Sequence, residues 1–310
     1  MQRRLLLAGS VAGATALPFR PGLGTGAAAR DLVWDMVAGG NPARPYRIFL
    51  RVPAAPPPAE GYPVFYMLDG EAQFGLVEEA LRDTGSHEGL SLEGGSPGEA
   101  PGGLLAGDGT GPVVPGLVVA IGYRGKSRRE HDYTPPSEGG PPEEGGAEGF
   151  LDFIERELKP RVEAAFPADR RRQALFGHSY GGLFALYALF TRPGSFHRTV
   201  AASPSIWYGN GAVLRAEERF AANPPPEAAS LELLVTVGEL EGGRPGSAGA
   251  DSDLARVAQQ VERARALSDR LGVLGERGPR MRFHIFPGKD HGSVIPVALR
   301  RGLRFAFRPG

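Results

Sequence analysis

The chain has 310 residues, is 41% apolar, carries no net charge and contains no cysteine. Zero net charge removes any electrostatic drive toward nucleic acid or an anionic membrane surface, so neither is expected as a partner. Without cysteine there is no thiol nucleophile, no cysteine-ligated zinc and no disulfide framework.

The first residues read as a targeting segment. Arg3-Arg4 stand before a short, weakly apolar Ala/Gly-rich run over residues 5–17, and Ala27-Ala28-Ala29 supply a small-residue cleavage site. Such a run is too short to span a bilayer. The paired arginines point to a twin-arginine export signal, with an ordinary secretory signal as the alternative. The expectation is therefore a signal over residues 1–29 and one catalytic domain over 30–310, exported to the periplasm or beyond, without stable membrane insertion.

Apolar, β-branched and aromatic runs predict strands over residues 46–52, 64–68, 117–121, 173–176, 199–202, 231–237 and 281–286. Phe150, Leu151, Ile154, Leu158 and Val162 recur at helical spacing, and Pro160 should bend or break that helix. Residues 254–274 read as a polar amphipathic helix and 294–307 as a basic one. Strands alternating with helices imply an α/β fold: a mostly parallel central sheet with helices on both faces. Residues 85–116, dense in Gly, Pro, Ser and Glu, read as a surface insertion, and 135–146 as a shorter irregular stretch.

The chemistry centres on Gly177-His178-Ser179-Tyr180-Gly181-Gly182, which fits G-x-S-x-G. A short strand precedes it and an apolar helix follows, the context in which this turn lifts a nucleophilic serine above an α/β-hydrolase sheet. The glycines at 177 and 181 are expected where a Cβ would obstruct the strained turn. A serine hydroxyl needs a base and donors for the developing oxyanion. Of six histidines, His87 falls in the insertion, His178 should point away from the catalytic face, His197 lies near a helix end and His284 inside a strand; His131 lies in a loop. His291, in the loop after the last strand, is the expected base. The acid should follow the 231–237 strand, where an extended Glu239-Leu240-Glu241 would turn both glutamates the same way; Glu241 is preferred, Glu239 is the alternative, and a Ser-His pair without an acid is a third reading. The backbone N–H of Tyr180 and that of Gly70 or Glu71, after the 64–68 strand, are the expected oxyanion donors. Arg124, Arg128 and Arg129 leave the same sheet edge and suit anionic or planar aromatic groups. The aromatics Trp207 and Tyr208 could line an acyl or aryl pocket or cap the core. No cofactor and no metal are called for.

Taken in order, residues 66–70, Ile121-Gly122-Tyr123, Asp132-Tyr133-Thr134-Pro135, the elbow, Ala202-Ser203-Pro204-Ser205-Ile206-Trp207 and Asp290-His291-Gly292-Ser293 resemble the esterase branch of the α/β-hydrolases. Within it they are most similar to the esterases that open the trilactone of enterobactin- and salmochelin-type catecholate siderophores. The resemblance runs from about Trp34 to the C-terminus, apart from the insertion. It implies an α/β-hydrolase fold, Ser179 as nucleophile, His291 as base, a variable third member, a small-molecule ester substrate and substrate contacts from Arg128 and Arg129. Carbohydrate-ester, feruloyl and S-formylglutathione hydrolases and mycolyl-type acyltransferases share the scaffold, so these chemistries, and a non-catalytic binder, stand as alternatives.

Overall fold

The computed structural model describes residues 28–41, 43–85, 113–141, 143–242 and 259–309. Most of the expected signal, most of the 85–116 insertion including His87, and the start of the 254–274 helix lie outside them.

Eight strands form one sheet in the order β1-β2-β4-β3-β5-β6-β7-β8. They are β1 (Arg30–Val37), β2 (Pro45–Val52), β3 (Tyr62–Met67), β4 (Leu117–Tyr123), β5 (Ala168–His178), β6 (Arg198–Ala202), β7 (Glu232–Gly238) and β8 (Arg280–Phe286). Strand β2 runs antiparallel to β1 and β4; from β4 to β8 every neighbour is parallel. Strands β3, β4, β6 and β7 are buried along their whole length, which is why they read as unbroken apolar runs.

Strand β1 was not anticipated. Its alternation is half-buried, with Asp31 and Asp35 facing Arg51 and Arg47 on β2 across the antiparallel ladder. A cross-strand partner makes such acidic residues compatible with a strand. Strand β5 also begins earlier than expected, at Ala168 rather than at residue 173.

Helices α1 (Val77–Gly85) and α6 (Val294–Phe307) cover one face, packing on Phe65, Phe176 and Val200. The other face carries α2, in three continuous pieces (Ala147–Phe153, Ile154–Leu158, Lys159–Ala165), together with α3 (Tyr180–Thr191), α4 (Tyr208–Ala222) and α5 (Gln260–Gly272). Pro160 does not break α2. The turn before it, Ile154–Leu158, widens to π-helical geometry, which takes up the register where the proline lacks its N–H. Among the described residues no helix is long and apolar enough to cross a membrane.

Lys159 shows what burial does to a charge in this layer. It is 7% exposed, hydrogen-bonds the Ser195 carbonyl and lies 3.8 Å over the Phe196 ring. Burial lowers its pKa to about 8, against the opposing pull of Glu155 and Glu163. Below pH 8 the ammonium is charged in both folded and unfolded chains and the cost of burying it is fully present. Between about 8 and 10.5 the unfolded chain binds the extra proton, so folding stability rises with pH across that window. Urea unfolding at several pH values should show the wild type gaining up to about 3 kcal/mol over Lys159→Met in that window; parallel pH curves would contradict it.

Candidate active site

The C-terminal ends of the parallel strands β5, β7 and β8 deliver Ser179, Glu241 and His291 to one edge, where open α/β sheets place their ligands. Strand β5 ends at His178, and Ser179 follows at φ 60°, ψ −118°, immediately before α3. This is a strained backbone for a residue with a side chain. A Cβ on Gly177 would overlap the Gly181 carbonyl, and one on Gly182 would come 2.8 Å from the Ala202 oxygen. Gly181 is different: a Cβ there would meet Leu68 no closer than 3.4 Å, an ordinary contact. The steric demand therefore sits on 177 and 182, not on 177 and 181 as the motif suggested.

Three side chains line up in hydrogen-bonding order. Ser179 Oγ lies 3.0 Å from His291 Nε2, and His291 Nδ1 lies 2.8 Å from Glu241 Oε2. Glu241 is fully buried. Its second oxygen, Oε1, accepts from the Gly238 N–H at 2.7 Å and from Ser203 Oγ at 2.6 Å. A buried carboxylate with its remaining lone pairs filled this way is fixed in place. Glu239 does not join it. After Gly238 the chain turns into a 3-10 segment, Glu239–Glu241, so the two glutamates diverge instead of facing the same way. Glu239 is exposed and accepts from Gly288 N at 2.8 Å, bracing the loop that carries His291. That loop is further shaped by Asp290, whose Oδ1 accepts from the backbone N–H groups of Gly292 and Ser293.

His178 does not point away from the site. Its ring centre is 4.5 Å from that of His291, and it hydrogen-bonds the His291 backbone. Burial first, then the positive charges of His291 and Arg129, lower its pKa to about 3. It therefore offers His291 a neutral wall. The long-range return of the β8 loop creates this contact, and local pattern carries no sign of it. His284 is half-buried on the edge strand against Phe286, not in the core. His131 pairs with Asp132 and His197 lies near Glu232, both away from the relay.

Tyr180 and Gly70 each open a helix, so their N–H groups have no intrahelical acceptor. The two helix starts adjoin, because the space beside Gly181 is bounded by Leu68 and Asp69. Asp69 holds a left-handed backbone, φ 52°. It is pinned by its N–H to the Tyr133 hydroxyl, at 3.1 Å, and by Arg129 Nε and Nη2 to its carboxylate, at 2.9 and 3.3 Å. Glu71 turns its carboxylate to the Tyr123 N–H on β4.

The two candidate arginines part company. Arg129 lies over the rings of Tyr133 and Tyr180, beside the elbow. Arg128 lies over Tyr46 and Tyr123, with Nη2 3.5 Å from Asp132, inside an aromatic cluster. Only Arg129 touches a residue of the elbow; Arg124 is exposed and pairs with Asp35.

Several residues of the site were not anticipated. Ser203, buried and left-handed at φ 43°, carries the hydroxyl that holds Glu241. Ser205, 1% exposed, sets its Oγ 3.3 Å from Ser179 Oγ. The Gln260 amide donates to the carbonyls of Ser203 and Pro204. The available signal was two serines flanking a proline directly after a buried strand, where polar side chains need partners.

A doubly covered parallel sheet, a serine on a strained strand-to-helix turn, and a histidine between that serine and a buried carboxylate define an α/β-hydrolase of the serine-esterase class. The chain belongs to the family described as "Putative esterase", whose model matches residues 40–291. It is similar to the ferri-bacillibactin esterase BesA of Bacillus subtilis, at 36% identity over 88% of this chain and 89% of that protein. It is also similar to the siderophore triacetylfusarinine C esterase of Aspergillus fumigatus, at 35% identity over 79% and 81%. Among solved structures, the enterobactin and salmochelin hydrolase IroE matches with a TM-score of 0.64 and 26% identity, over 91% of this chain and 96% of that one.

Proposed function

We propose that this chain is an exported serine esterase that opens the lactone esters of a catecholate siderophore through an acyl-enzyme. The observation that carries the chemistry is the unbroken hydrogen-bonded series from Ser179 through His291 to Glu241. Ser179 Oγ attacks the ester carbonyl while His291 Nε2 takes its proton. Glu241 keeps His291 in the tautomer with the proton on Nδ1 and offsets the charge that forms on the ring. The N–H groups of Tyr180 and Gly70 receive the oxyanion. Collapse breaks the carbonyl carbon–alkoxy bond, and His291 returns the proton to the leaving alcohol. Water then loses a proton to His291 and attacks the acyl carbon, releasing the acid and restoring the Ser179 hydroxyl.

The substrate reading is supported by the relatives, whose names all concern siderophores, though not the same one. Arg129, beside the elbow, is the arginine placed to meet an anionic or aromatic substrate group; Arg128 is assigned to the fold.

The test sets a catecholate trilactone beside a short-chain p-nitrophenyl ester, with Ser179→Ala as control. Serine-dependent opening of the trilactone, far faster than cleavage of the simple ester, is the expected result. Cleavage of the simple ester alone would retain the mechanism and discard the siderophore. Product that grows with an added alcohol acceptor, in place of free acid, would make the chain an acyltransferase. Export is tested separately: Arg3→Lys with Arg4→Lys should leave unprocessed chain in the cytoplasm, and unaltered processing would assign the general secretory route.

A further inference from the structure

Beyond the ester-bond chemistry, a cavity opens beside Trp207. It is a groove of about 410 Å³ between the start of α4 and one side of α5. Ile206, Leu214 and Ala266 give it an apolar floor, with Trp207, Asn210 and Arg263 around it. Its size is in the range of small-molecule pockets.

Three observations tie it to a ligand. The first is position. Ser205 Oγ lies 3.3 Å from Ser179 Oγ. Trp207 is two residues further on, so within about 7 Å along the backbone. Its ring centre is 5.9 Å from that of Tyr180. The indole thus lines the groove and neighbours Tyr180 of the elbow.

The second is charge. Arg270, also on the lining, is taken up by Glu217 at 2.6 and 2.9 Å. Arg263 gives Nη2 to Gln259 at 2.9 Å and pairs with no carboxylate among the described residues, which leaves a guanidinium on the lining for an oxygen anion. The third is backbone. Gly209, Asn210 and Gly211 are all left-handed, at φ 54°, 53° and 77°. Asn210 is not a glycine, and such strain gathers at ligand clamps.

We propose that this groove holds a second aromatic acyl arm of the substrate, its ring against Trp207 and a ring oxygen on Arg263, while the neighbouring arm is cleaved at Ser179. The inference rests on the multi-armed ester of the preceding reading, and it adds a place for the arm that is not being cut. A planar ring bearing anionic or hydroxyl oxygens satisfies an indole and a guanidinium together; a purely aliphatic chain leaves Arg263 unmatched.

The test exploits the fact that Trp34 and Trp207 are the only tryptophans in the chain. In Ser179→Ala protein carrying Trp34→Phe, titration with N-(2,3-dihydroxybenzoyl)glycine should quench Trp207 emission saturably. Arg263→Leu, and separately Ala266→Phe to fill the groove, should each weaken that binding about ten-fold or more. In active protein the same two changes should raise KM for the trilactone and leave p-nitrophenyl butyrate turnover within about two-fold. Absence of saturable quenching, titrations indifferent to both variants, or equal losses on both esters would overturn the proposal. Because the quenching assay needs no turnover, a chain that binds the probe at Arg263 yet never opens the trilactone fails the substrate reading and keeps the groove.

Discussion

Ser179→Ala is expected to lower kcat on every ester by about four orders of magnitude or more while the protein folds and melts close to the wild type. The hydroxyl makes two contacts, to His291 at 3.0 Å and to Ser205 at 3.3 Å, so its removal leaves the core untouched. Alanine accepts the same backbone demand at φ 60° as serine does, so the strain of the turn is unchanged. His291→Ala should cost about as much, and the double variant hardly more, because residues that act as a unit are not additive. Steady-state rates beside circular-dichroism melts measure both quantities. A Ser179→Ala protein retaining more than about a tenth of wild-type turnover would remove the serine from the mechanism.

Glu241→Gln should cost about 10²–10⁴-fold in kcat, and Glu239→Gln less than about three-fold. A glutamine at 241 has one acceptor oxygen where the carboxylate has two. If that oxygen faces Gly238 and Ser203, the amide N–H₂ faces His291 and favours the wrong tautomer. If it faces His291, two buried donors lose their acceptor, at about 1–3 kcal/mol each. Both orientations damage the relay, and the second also lowers the melting temperature. Glu241→Ala should still leave more activity than Ser179→Ala or His291→Ala, since the base itself is retained. A glutamine at 239 keeps an oxygen for the Gly288 N–H, so the loop stays braced. A larger loss at 239 than at 241 would move the acid to Glu239 and contradict the assignment.

The central strands and the elbow were readable from the chain because their constraints are local. Strands buried on both faces leave contiguous apolar runs, and glycine at 177 is demanded by a backbone contact four residues away. Strand β1 was missed because its acidic residues make sense only opposite the arginines of β2. The choice between Glu239 and Glu241 was blurred by treating the segment as extended, whereas its 3-10 turn buries one and exposes the other. His178, Ser203 and Gln260 owe their places to contacts far apart in sequence: His178 to His291, Ser203 to Glu241 across 38 residues, and Gln260 to the carbonyls of Ser203 and Pro204 across 57 and 56. Chain order alone does not encode such meetings.

The loops after β7 and β8 are sewn to each other, Leu240 N to the Lys289 carbonyl at 2.9 Å and Gly288 N to Glu239, while β8 is the half-buried outermost strand. The base therefore rides with the β8 loop while the acid stays anchored by Gly238 and Ser203, and the bonds from His291 to Ser179 and Glu241 join that loop to the rigid centre of the sheet. Outermost strands open before cores do. On warming, the His291 loop should lift with β8, so hydrolysis fades several degrees before the cooperative melt and returns on cooling. Heat then acts on this enzyme as a reversible latch rather than as damage.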